Sequence, residues 1–186
     1  PSLQRDYLRR LLREFGHGEA YAAWRRFSGL ADRSGEVPFN SRFVPDDAVP
    51  PYNWFVDSRH AEIQAAGGLF VVYRGTERPL IARQYFSVPS GRYRIVAEAR
   101  GRMPENGGSL EWVVSCATPK TNLSTETIFM NKRGEIETFE SELIDPTEKC
   151  EFQVIELWGR SGTFPQISRT EFLSILIEPE KSKRPE

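Results

Sequence analysis

Hydrolytic or transfer chemistry in this chain would have to start from its carboxylates, and these are scattered. Glu98, Glu111, Glu156 and Glu171 fall on separate strand-like runs. Paired acid–base work needs two such groups about 5–10 Å apart in a cleft, and spacing along a chain does not fix that. No Gly-x-Ser-x-Gly elbow, Walker loop or Cys-x-x-Cys pair occurs. The four glutamates are therefore expected on solvated strand faces. The chain is expected to be no enzyme and to need no cofactor. His17 lies in a turn between Gly16 and Gly18, and His60 has no partner four residues away, so no metal site is expected on them. Cys116 and Cys150 stand in two strand-like runs, 34 positions apart. They are read either as buried thiols or as a cross-strand disulfide formed in an oxidising compartment. In both cases they are expected close together.

Alternation with period two sorts further side chains. Arg83 and Tyr85 share one face, opposite Ala82, Gln84 and Phe86. Arg94 and Glu98 share the outward face of the next run, and neighbouring strands would join the four in one polar–aromatic patch. Trp112 is in phase with Leu110, Val114 and Cys116, so it is expected in the core, as is Trp54. For Trp158 the pattern leaves core and surface open.

The elements that must position these residues are mostly strands. From Gly67 to Gly101 three runs follow one another, separated by Gly75-Thr76 and by Pro89-Ser90-Gly91. Further strands are expected at Val37–Phe43, Tyr52–Ser58, Ala61–Gln64, Ser109–Ala117, Thr125–Met130, Glu135–Glu142, Cys150–Trp158 and Thr170–Ile177. Asn106-Gly107-Gly108, Asn131 to Gly134 and Asp145-Pro146 supply turn chemistry between them. Only the first residues read differently. Leu3, Tyr7, Leu8, Leu11, Leu12 and Phe15 recur at helical spacing up to Gly16. A second helix follows, with Ala20, Ala23, Trp24 and Phe27 on one face. Many short strands without intervening helices predict a mainly β chain, an antiparallel sandwich of the jelly-roll kind with a short N-terminal helical hairpin. The expected division is a hairpin over 1–30, a polar linker at Asp32–Glu36, a β module over 37–179 and a disordered tail over 180–186.

With 186 residues, 39 % of them hydrophobic, the chain can build one sizeable core. A net charge of −1 gives no global reason to expect nucleic acid. The basic cluster Arg5, Arg9, Arg10, Arg13, Arg25 and Arg26 is read as a solvated or inter-domain helix face. No apolar run approaches the roughly 20 residues of a spanning helix, so membrane insertion is not expected. The chain opens with Pro-Ser inside a helical pattern. It is therefore expected to be the C-terminal piece of a longer protein, and the lack of a signal-peptide pattern says little about location.

Several segments, in this order, resemble carbohydrate-binding modules of the family 4/6/9/22 kind. Pro38 to Val44 is similar to their opening strand and Pro51-Tyr52-Asn53-Trp54 to the strand after it. The Gly67–Gly101 block is similar to their middle, and Glu171 to Pro179 to their closing strand. The Gly16–Trp24 stretch resembles a tetratricopeptide-type hairpin. Hairpin plus module together resemble a group of bacterial repeat proteins. The resemblance implies a glycan-binding jelly roll in a periplasmic or extracellular setting. Tyr73, Tyr85 and Trp158 would then be sugar platforms, with Arg83, Arg94, Glu98 and Glu156 as polar partners. Where such modules often hold a structural calcium, this chain has Val44 and Leu173-Ser174 in place of the acids, so no calcium is expected there. The alternative reading is a structural module that binds a protein partner or upstream helical repeats and no sugar.

Overall fold

The computed structural model describes residues 2–29, 36–104, 106–128, 134–142, 144–146, 150–164 and 166–180. Two helices, α1 (Ser2–Glu14) and α2 (His17–Phe27), come first. Ten strands follow among the described residues: β1 (Phe55–Val56), β2 (Ala61–Ile63), β3 (Leu69–Tyr73), β4 (Leu80–Phe86), β5 (Tyr93–Arg102), β6 (Ser109–Cys116), β7 (Asn122–Ile128), β8 (Ile136–Glu140), β9 (Gln153–Arg160) and β10 (Ser168–Pro179). They form two five-stranded antiparallel sheets, ordered β1-β4-β9-β6-β7 and β2-β3-β10-β5-β8. The expected mainly β jelly-roll sandwich with an N-terminal helical pair is the observed fold.

The core lies between the sheets because each strand turns its apolar phase inward. Leu69 and Val71, Ile95, Ala97 and Ala99, Leu110, Trp112 and Val114, Ile155 and Leu157, Phe172 and Ile175 are all buried there. Trp112 of the first sheet meets Phe172 of the second edge-on, 5.3 Å between centroids, and Trp54 at 5.8 Å. Both tryptophans expected in the core are in it.

Two expected strands fail for local reasons. Val37–Phe43 is a turn: Asn40 and Phe43 take left-handed φ angles of 54° and 52°, which no strand allows. The Asn40 amide clasps Val44, donating to its carbonyl and accepting from its N–H, each at 2.7 Å. Tyr52–Ser58 shrinks to Phe55–Val56. Asn53 turns its side chain onto the backbone instead, accepting from Trp54 N–H and donating to the Ala48 carbonyl, both at 2.8 Å. Buried Gln84 fastens both stretches to β4, donating to the Phe39 and Tyr52 carbonyls at 2.9 Å each. The expected linker lies outside the described residues except for Glu36, and so does the expected tail except for Glu180. The end of the expected Thr125–Met130 strand, at 129–130, also lies outside them.

The hairpin rests on the sandwich through a second apolar cluster. Leu8, Ala20 and Trp24 are buried with Val49, Tyr52 and Phe152, and Tyr85 packs at the edge. The Trp24 indole donates to the Val49 carbonyl at 2.9 Å. His17 sits over three rings, 4.7 Å from Tyr85, 5.2 Å from Phe152 and 6.2 Å from Tyr52. Arg5, Arg9, Arg10 and Arg13 face solvent, with Arg10 paired to Glu14 at 3.0 Å. Neither helix is long and apolar enough to cross a membrane.

Burial lowers the His17 pKa below the ordinary value, and the nearby Glu151 carboxylate offsets this only in part. The unfolded chain therefore takes up a proton near pH 6.5 that the docked hairpin refuses. The expected result is full hairpin stability above about pH 6.5, falling as pH drops through that value and levelling off below the folded pKa. Thermal melts followed by tryptophan fluorescence from pH 7.5 to 5 check this. A His17→Gln variant should lose this part of the pH dependence.

Candidate ligand-binding face

The outward phase of the first sheet gathers polar and aromatic groups from β4, β9 and β6. Strand register sets them in rows: Leu80, Trp158 and Glu111 in one, Arg83, Glu156 and Val113 in the next, then Tyr85, Val154 and Ser115. Two carboxylates on this face are almost fully covered, Glu111 and Glu156, at 4 % exposure each. Carboxylates so desolvated need cations and donors, and both have them. Glu111 receives Arg160 at 2.8 Å and Arg78 at 3.7 Å. Glu156 accepts from the Trp158 indole N–H at 3.2 Å and faces Lys120 at 3.6 Å. All three cations keep their heads largely in solvent while the acids lie beneath them.

Trp158 is half-buried, and the Arg78 guanidinium stands over its ring at 5.6 Å. Arg83 sits between two rings, 5.8 Å from Phe55 and 5.7 Å from Tyr85. The face is thus a strip of rings and forked charged groups beside the hairpin. Each carboxylate thus has a cation within 4 Å, Glu111 two of them and Glu156 one. Among the described residues no group of three or more His, Cys, Asp or Glu is placed to hold a metal ion.

Of the residues singled out in the sequence, Arg83, Tyr85, Glu156 and Trp158 come together here. Tyr85 is no open platform, because His17 and Tyr52 pack on it from the hairpin side. Tyr73 does not belong to the set. It shares the inward phase of Leu69 and Val71 and is 1 % exposed. Its ring lies so close to Gly159 that a Cβ there would stand 2.6 Å from it. Arg94 and Glu98 do not belong either: β5 lies in the other sheet. There Arg94 pairs with Glu140 at 2.8 Å and Glu98 accepts from Ser174 at 3.2 Å. Arg78, Lys120 and Arg160 are additions. Arg160 was detectable in phase with Glu156 and Trp158, whereas Arg78 and Lys120 come from connections without periodicity. Cys116 and Cys150 are disulfide-bonded, with Cα atoms 5.4 Å apart, as the oxidised reading has it. Val44, at the opening acid position of the resemblance, is exposed and held by Asn40.

No protein-family model and no curated protein matches the chain. Solved structures do. A CBM4 module, a carbohydrate-binding module, is 18 % identical with a TM-score of 0.54, over 77 % of this chain and 99 % of that one. TmCBM61, solved in complex with β-1,4-galactotriose, is 16 % identical with a TM-score of 0.51, over 79 % of this chain and 100 % of that one. The sandwich therefore has the fold of carbohydrate-binding modules. At these identities the likeness extends to the fold alone.

Proposed function

We propose that the chain is a non-catalytic glycan-binding module and that the sugar lies across the outer face of β4, β9 and β6. The observation that carries this is Trp158, half open on a sheet face and ringed by Glu156, Glu111, Arg78 and Arg160. A pyranose stacks an apolar face on such a ring while forked polar groups take its hydroxyls. Arg78 now stands over the ring, but it is mostly exposed and its contact to Glu111 is the longer of two. A sugar can displace it and leave Glu111 satisfied by Arg160. Two structures similar in fold are named as carbohydrate-binding modules, one of them solved with a galactotriose.

In this reading residues 37–179 are the module and the hairpin is the end of a helical repeat array. A preceding helix would cover Leu3, Tyr7 and Phe27, which are 84 %, 50 % and 45 % exposed. The disulfide fits a periplasmic or extracellular setting. The test is a glycan array with the whole chain, followed by calorimetric titration of each hit and of β-1,4-galactotriose. Saturable binding of at least one glycan is expected. A blank array with silent titrations would leave the structural module for a protein partner as the reading to pursue.

A further inference from the structure

The outer face of the second sheet, away from Trp158, holds a cavity of about 530 Å³. Phe70 and Ile167 form its apolar side, and Arg100, Arg102, Arg169 and Glu171 its polar side. Register explains the set. Phe70, Glu171 and Arg100 stand in one cross-strand row of β3, β10 and β5, and Val72, Arg169 and Arg102 in the next. The first row is neutralised, because Arg100 donates to Glu171 at 2.7 Å. The second is not. Arg102 and Arg169 face each other directly, with no acidic partner among the described residues. Like charges in directly opposed positions destabilise a strand pair, and an anion between them would remove the repulsion. Gly101 keeps the two strands close at this point. A Cβ there would meet the Arg169 carbonyl oxygen at 2.2 Å and Thr170 Cα at 2.8 Å. Ile167 is 43 % exposed beside the arginines, so a ligand here would need an apolar surface as well as a charge.

We propose that this cavity binds an acidic sugar residue. Arg102 and Arg169 fork its carboxylate or sulfate ester, and the ring lies against Phe70 and Ile167. Guanidinium groups suit both anions because they present paired donors in a plane. The proposal rests on the glycan-binding reading but places a second, charge-selective site on the opposite sheet. One module would then hold neutral and acidic parts of a polysaccharide on its two faces.

The experiment is calorimetric titration of the full chain with tetragalacturonate, with a sulfated galactan tetrasaccharide, with β-1,4-galactotriose and with inorganic sulfate. The proteins are the wild type, Arg102→Gln/Arg169→Gln, Trp158→Ala and the control Arg59→Gln. At least one acidic oligosaccharide should bind the wild type, and the uronate and sulfate arms show which anion is preferred. The double variant should lose about tenfold or more in affinity for it. That variant should melt no lower than the wild type, since both side chains are exposed and mutually repulsive. Trp158→Ala and Arg59→Gln should leave acidic binding unchanged. If galactotriose and every neutral glycan of the array fail while the acidic ligand binds through the arginines, the second site stands and the Trp158 face does not. No acidic binding by the wild type, equal binding by the double variant, loss in Trp158→Ala, or inorganic sulfate binding as tightly as the saccharide would each overturn the proposal.

Discussion

Trp158→Ala is expected to weaken neutral glycan binding by about thirtyfold or more while the sandwich stays folded. The ring is the half-open aromatic in the middle of the β4–β9–β6 face, and its N–H is fixed by Glu156 at 3.2 Å. Central aromatics of this kind carry about 2 kcal/mol or more of a binding energy, some thirtyfold in Kd. Removing a fully buried tryptophan costs roughly 3–5 kcal/mol of stability. Trp158 is outside the inter-sheet core, so its truncation should cost well under that. Glu156 loses one donor but keeps Lys120. Titration and thermal melting on the same sample read both effects. Lost affinity with a nearly unchanged melting temperature supports the sugar platform. A collapsed melting temperature would make Trp158 a structural residue and leave the protein-partner reading standing.

The strands from Leu69 onward could be read from the chain because alternation survives wherever one face is buried. β5 shows it plainly, with Ile95, Ala97 and Ala99 inward and Glu98 and Arg100 outward. The Val37–Phe43 stretch misled because its composition is strand-like. What decides its conformation is a left-handed Asn40 bonded to Val44, a local contact that periodicity does not register. The site was legible by halves. Period two places Glu156 with Trp158 and Arg83 with Tyr85, and β4 and β9 do pair. Adding Arg94 and Glu98 assumed that successive strands are neighbours. In this topology the chain crosses from one sheet to the other between β4 and β5, so residues close in sequence end on opposite faces of the molecule. Arg78 and Lys120 reach the site from loops, whose course no repeat predicts.

Loss of the Cys116–Cys150 bond is expected to lower stability by roughly 3–4 kcal/mol, through the unfolded chain more than through the folded one. Cys116 ends β6 and Cys150 stands just before β9, the strand paired with β6. The bond spans 34 positions, a stretch that contains β7 and β8. Both sulfurs are covered, at 5 % and 3 % residue exposure. As thiols they would still pack as small apolar groups, so few native contacts disappear. What is lost is the restraint on the unfolded ensemble. At about 2–4 °C per kcal/mol for a chain of this size, the melting temperature should fall by about 6–16 °C. Reduction should be slow without denaturant, because the bond is buried. Cys116→Ala and Cys116→Ala/Cys150→Ala should therefore be measured beside protein that has been unfolded, reduced and refolded. The neighbours of the two cysteines, Ala117 and Phe152, belong to the hairpin cluster, and Ala117 N–H donates to the Phe152 carbonyl at 2.8 Å. The fluorescence of Trp24 should thus change at lower temperature together with the rest of the chain. An unchanged melting temperature in protein shown by mass to be fully reduced would overturn this account of the bond.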